Sequence, residues 1–209
     1  MCIRDRYTLV LTQDLVDGID AYEYDISLHL RCMLTLSPDI PSFTDSLIKH
    51  PQPFSPFLPL LSSSNPEDQV PLLTASVLSS LLSQAQVSTS KTPDLSDALS
   101  KLYACLASLS KSTDAGLQDI AVQHYSTVLR SSNSRNLFWE QRKETLTPLV
   151  EILRKAVDSR PGSSASTLRS GADSGSIGGG VGLQLLYHVL LVMWQLSFEA
   201  NSIGEDFSE

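Results

Sequence analysis

Three long apolar stretches can be laid over one another without a gap: VPLLTASVLSSLLS (70–83), LQDIAVQHYSTVLR (117–130) and LQLLYHVLLVMWQL (183–196). Four columns are apolar in all three: Val70/Leu117/Leu183, Leu73/Ile120/Leu186, Leu78/Tyr125/Leu191 and Leu81/Val128/Trp194. Offsets of 0, 3, 8 and 11 from the first column put all four on one face of an α-helix. The starts are 47 and 66 residues apart, and the second interval becomes 44 once the 22 residues of 159–180 are set aside. A helical repeat of about 40–47 residues is the armadillo/HEAT period. One such unit cannot bury its apolar face alone, so stacking on neighbours supplies the core. The predicted fold is all-α, an armadillo/HEAT-like helical-repeat solenoid. The rival reading is an irregular bundle of similarly patterned helices.

The rest of the chain agrees with helix. Strand signals are nearly absent: no β-branched run alternates with polar residues. Arg6 to Asp17 and Tyr22 to Leu36 carry apolar residues at helical spacing, the second closed by Pro38. Ser42 is positioned to cap a short helix through His50. The first repeat unit pairs Phe57–Leu61 with a helix from Val70, where Asn65 and Pro66 form a cap and first-turn proline. The second pairs Leu99–Ser110 with Leu117–Arg130, and the third pairs Leu146–Val157 with Leu183–Phe198. Residues 159–180, SRPGSSASTLRSGADSGSIGGG, are Gly/Ser-rich and read as a flexible insertion within the third unit. Residues 1–6 look unrelated to the helical pattern after them and read as a non-native start. The organisation is therefore 1–6, repeats over 7–158, the insertion 159–180, and a last, truncated repeat over 181–209.

Composition narrows the function. Hydrophobic residues make up 42% of the 209, enough for a real core without disulfides or metals. Fifteen Lys and Arg against 23 Asp and Glu give a net charge of −8, which disfavours nucleic acid because phosphate neutralisation needs clustered cations. Cys2, Cys32 and Cys105 are odd in number and widely spaced, which suits thiols in a reducing cytosol rather than a disulfide framework. The most apolar stretch, Leu183 to Phe198, is shorter than the roughly 20 residues a membrane span needs and is broken by Gln184, His188 and Gln195. It reads as a helix buried on most sides, with no direct membrane insertion.

Chemistry is scarce. GGGVG (178–182) lacks the Lys-Ser/Thr of a phosphate-binding loop and the spacing of a dinucleotide fingerprint. His29, His50, His124 and His188 are scattered, with no metal-ligand spacing. No GxSxG elbow or cysteine-nucleophile signature occurs. Catalytic, cofactor-binding and metal residues are accordingly expected to be none, and no cofactor is called for. The richest cluster, residues 125–156, sets Phe138 and Trp139 between Arg130, Arg135 and the Glu140–Glu144 helix start. Aromatics beside cations can stack bases; here they read as anchors of a corner between repeats, with Arg135 capping or pairing locally.

That cluster carries a resemblance. YSTVLRSSNSRNLFWEQ, then LTPLVEIL, the Gly-rich insertion and LQLLYHVLLVMWQLSFEA resemble the H subunit of the vacuolar-type proton-translocating ATPase, its fungal forms above all. YTLVLTQDLVDGID (7–20) is similar to an early helix of that family, and the likeness weakens through 37–65. The resemblance implies the N-terminal part of a non-catalytic regulatory subunit at the cytoplasmic face of the vacuolar membrane. It also implies partners in the peripheral stalk and the catalytic sector, and a role in tying ATP hydrolysis to proton transport. No catalytic residue transfers with it, and relative to the family pattern the chain looks like a fragment. A generic armadillo-like adaptor gripping extended peptides is the alternative, but Trp139 and Trp194 occupy different repeat positions and no Asn recurs to line a groove.

Overall fold

The computed structural model describes residues 26–39, 41–49, 53–62, 69–87, 95–158, 176–178 and 181–203. The helix expected over 6–17, the Asn65–Pro66 start and the segment 1–6 lie outside the described residues. Among those described, eight α-helices are present: α1 (Ile26–Asp39), α2 (Pro41–Ile48), α3 (Val70–Val87), α4 (Leu95–Ser110), α5 (Ala115–Val128), α6 (Ser132–Glu140), α7 (Arg142–Asp158) and α8 (Leu183–Ile203). A 3₁₀ turn, Ser55–Leu61, precedes α3, and a minimal antiparallel hairpin, β1 (Ser176–Gly178) with β2 (Val181–Gly182), leads into α8.

Local differences from the expected elements have simple causes. Helix α1 runs to Asp39, one residue past Pro38, so the proline stands in the last turn and the helix ends within a residue of it. Helix α2 starts at Pro41 rather than behind a Ser42 cap, as suits a proline whose missing N–H falls where no intrahelical acceptor exists. Of the insertion 159–180, residues 176–178 are described, and they pair with 181–182 where no strand was expected. Helix α7 begins at Arg142, a turn earlier than Leu146, and carries Pro148 inside it.

The chain divides into two compact units, 1–105 and 106–209, with the division falling inside α4. In the first, α1 and α2 pack on α3 together with the 3₁₀ turn. Their core joins Leu30, Met33, Leu47, Phe54 and Phe57 to Leu78, Leu81 and Leu82 of α3. Arg31 Nη2 donates to Gln69 Oε1 (2.6 Å) ahead of α3.

The second unit is built around α5. Asp114 caps it, its Oδ1 accepting from Gly116 N (2.7 Å) and Leu117 N (3.3 Å). A Cβ at position 116 would lie 3.1 Å from that oxygen, so glycine leaves the cap room. Helix α5 buries Ala121, Val122, Tyr125 and Val128, and Tyr125 meets Phe138 of α6 edge to face at 5.5 Å between ring centroids. Two contacts set α8 against α5: Asp119 Oδ1 with His188 Nδ1 (2.7 Å), and Gln195 Nε2 donating to Ser126 O (2.9 Å). Both pairs are 69 residues apart in sequence, so the two helices run side by side in the same direction. Helices equivalent in successive repeats stack in this way.

Truncating Phe138 to Ala removes a fully buried ring and is expected to destabilise this unit by about 3–5 kcal/mol. Asp114→Ala is expected to cost about 1 kcal/mol. Thermal and urea unfolding of the two variants checks both values.

Candidate interaction surface

Of the four overlaid columns, two are buried in two of the three long helices, while Val70/Leu117 and Leu73/Ile120 are half-buried. Leu78 with Tyr125 and Leu81 with Val128 are buried in α3 and α5, as their columns require. In α8 two of the four matched residues, Leu183 and Trp194, are exposed, Leu186 and Leu191 are half-buried, and the buried face is Leu185, Val189, Val192 and Leu196. Moving the third helix by one residue restores agreement, giving Ala75/Val122/Val189, Leu78/Tyr125/Val192 and Leu82/Leu129/Leu196, all buried. Helix α8 is apolar almost all round, so residue type could not identify its inward face.

Nor is α8 buried on most sides. Leu183, Tyr187, Leu190, Trp194 and Phe198 are each 53–62% exposed, and their spacing lines them up along one face, half a turn from the buried one. The other exposed large apolar residues among those described, Leu28 and Val157, lie apart on α1 and α7. With that exposure the stripe offers roughly 500–600 Å² to solvent, and covering it is worth about 1 kcal/mol per side chain.

The far end of the stripe is fixed in place. Trp194 and Phe198 pack edge to face, 4.9 Å between centroids. The Arg135 guanidinium lies 5.9 Å from the Phe198 ring centroid, and its Nε and Nη2 meet Glu199 Oε1 at 2.9 and 2.7 Å. The same arginine donates through Nη1 to Leu129 O (3.0 Å) and Arg130 O (2.9 Å), just beyond the C-terminus of α5. Arg135 therefore caps locally, as its place in the sequence led us to expect, while its ion pair is with a residue 64 positions away rather than a local one. The hydrogen bond from Arg135 is the main cause holding the Glu199 carboxyl below its ordinary pKa.

The residues singled out for chemistry do not converge. Phe138 is in the core and Trp139 half-buried, both on α6, a helix capped by Ser131 where a corner was expected. Gly178, Val181 and Gly182 belong to the hairpin strands; Gly179, Gly180, His50 and Cys2 lie outside the described residues. Cys32 is exposed, and burial pushes the Cys105 thiol up to about 11, so it is protonated and unreactive. His29 is half-buried in the first unit, and His188 is tied to Asp119 in the second. Among the described residues no three His, Cys, Asp or Glu side chains are grouped to hold a metal ion, and no helix is long and apolar enough to cross a membrane. What the structure presents is a surface, and the sequence signal for it was an apolar period continuing around α8.

The family model for the V-ATPase H subunit, that of its N-terminal domain, matches residues 10–209. The chain belongs to the V-ATPase H-subunit family. No curated protein and no solved structure matches it. The H subunit is a regulatory, generally non-catalytic component of the proton-transporting ATPase and associates with its other subunits. Its N-terminal domain is of the helical-repeat type, in keeping with the same-direction stacking of α5 and α8.

Burial of His124 on α5 lowers its pKa from 6.5 to about 4. The unfolded chain takes up that proton below 6.5, while the folded chain resists it until about 4. The stabilisation is therefore complete above 6.5 and is lost as pH falls towards 4. Between pH 7 and 5 the expected loss is about 2 kcal/mol, and His124→Leu should flatten the slope. Urea midpoints across that range measure it.

Proposed function

We propose that this chain acts as a non-catalytic regulatory subunit of the vacuolar proton-pumping ATPase. It couples ATP hydrolysis in the cytosolic sector to proton transport by binding the peripheral stalk at the cytoplasmic face of the vacuolar membrane. The observation that carries this reading is the family match across 10–209. The exposed apolar stripe on α8 gives it physical support, since contiguous apolar surface rimmed by polar residues marks sites of protein association. Residues 7–158 and 181–209 serve as repeats, with 159–180 as an insertion inside one of them.

Work of this kind is binding rather than bond-making. A repeat surface engages an elongated helical partner and holds the regulator where it can link hydrolysis to rotation. The net charge of −8 favours basic patches on a partner, and such contacts weaken as salt screens them.

Co-purification of the tagged chain with vacuolar membranes, probed for stalk and catalytic subunits, tests the proposal. Capture that declines as salt rises is the expected result. A folded chain that captures neither subunit at low salt overturns it and returns the peptide-binding adaptor to first place.

A further inference from the structure

We propose that Ser132 is a phosphorylation site whose occupancy decides whether the end of α8 stays held against α6. Ser132 opens α6 and is exposed, within reach of a kinase. Its hydroxyl donates to the Glu199 carboxylate, the same group that Arg135 binds through Nε and Nη2 at 2.9 and 2.7 Å. Four other hydroxyls of the second unit act differently. Ser126 and Thr127 donate to Gln123 O, Thr147 to Lys143 O and Ser197 to Trp194 O, each within its own helix. The Ser132 proton instead goes to a charged group on a distant element, beside an ion pair that joins α6 to α8. Arg135 follows Ser132 by three residues, so on a helix it lies within reach of a group carried by that side chain. Helix α6 is nine residues long and its first turn rests on the Ser131 cap. Opening it locally is therefore cheap, and that lets Ser132 extend into an enzyme's cleft.

The phosphoryl donor is a nucleoside triphosphate. Ser132 Oγ forms a bond to the γ-phosphorus, its proton passes to the kinase's base, and the bond from that phosphorus to the departing nucleoside diphosphate breaks. The ester oxygen that remains has no proton, so the hydrogen bond to Glu199 is lost. In its place stands a group of charge about −1.5 to −2, beside a carboxylate that it repels. Arg135 keeps its Nη1 on the Leu129 and Arg130 carbonyls and turns Nε and Nη2 from one carboxylate to three phosphate oxygens. Glu199 is released, and with it the end of α8 that carries Phe198.

The test installs phosphoserine at position 132 during synthesis of the full chain, with phosphoserine at the exposed position 108 on α4 as control. Amide hydrogen exchange then compares α5 with residues 196–203 of α8. Exchange in 196–203 should become at least tenfold faster while α5 is unchanged, and the control should alter neither helix. Unaltered exchange at the end of α8 overturns the proposal. So does equal acceleration in α5, because the whole unit has then opened rather than α8 alone. Phosphorus NMR supplies a second measurement. Pairing with Arg135 should lower the second pKa of the phosphate at 132 below that at 108, and equal values overturn the proposal. Mass spectrometry of the chain recovered from its own cells, growing and stationary, should find phosphate on Ser132; its absence from both removes the site. None of these readouts involves the ATPase, so each outcome leaves the proposed function standing.

Discussion

The second unit depends on what happens at the C-terminal end of α5. A helix ends with carbonyls that have no intrahelical donor, and leaving them dry and unpaired costs more than a hydrogen bond returns. Here side chains from two later elements supply the donors. Gln195 of α8 takes the Ser126 carbonyl, and Arg135 of α6 takes those of Leu129 and Arg130 in the turn after α5. Because Arg135 also binds Glu199, one guanidinium joins the end of α5 to α8, while the Tyr125–Phe138 ring pair packs beneath. The placement of α8, and so of everything it exposes, follows from satisfying that helix end.

Much of this was legible in the sequence because helical period and burial usually coincide. The columns Leu78/Tyr125 and Leu81/Val128 were found from spacing alone and are buried. The same reasoning slipped by one residue in α8, where hydrophobicity stops being informative about direction: Trp194 is as apolar as Val192, yet one faces solvent and the other the core. Only contacts decide between them, and the deciding ones are polar and 69 residues apart in sequence. Helix α6 went unseen for a different reason. SNSRNLFWE carries too few apolar residues for a period, and its start is set by the Ser131 hydroxyl accepting from Ser134 N, a single local bond.

The candidate site was less legible than the fold. An enzyme announces itself through side chains whose chemistry is unusual at a given spacing, and none of the scattered histidines, cysteines or glycines does so. A binding face is made of ordinary residues, and its only mark is where they point. The family match supplies the setting, and the stripe supplies a place within the molecule at which membership has physical content.

A helix that is apolar on two opposite faces has no polar side to tell it which way to turn. Rolled by half a turn about its own axis, α8 would bury Leu183, Tyr187, Leu190 and Trp194 and present Leu185, Val189, Val192 and Leu196 outward, one apolar face in place of another. What separates the two settings is a short row of polar stops along its length: His188 on Asp119, Gln195 on Ser126 and Glu199 on Arg135. Those three contacts act less as sources of stability than as an index mark. They mark which of its two apolar faces is turned towards α5.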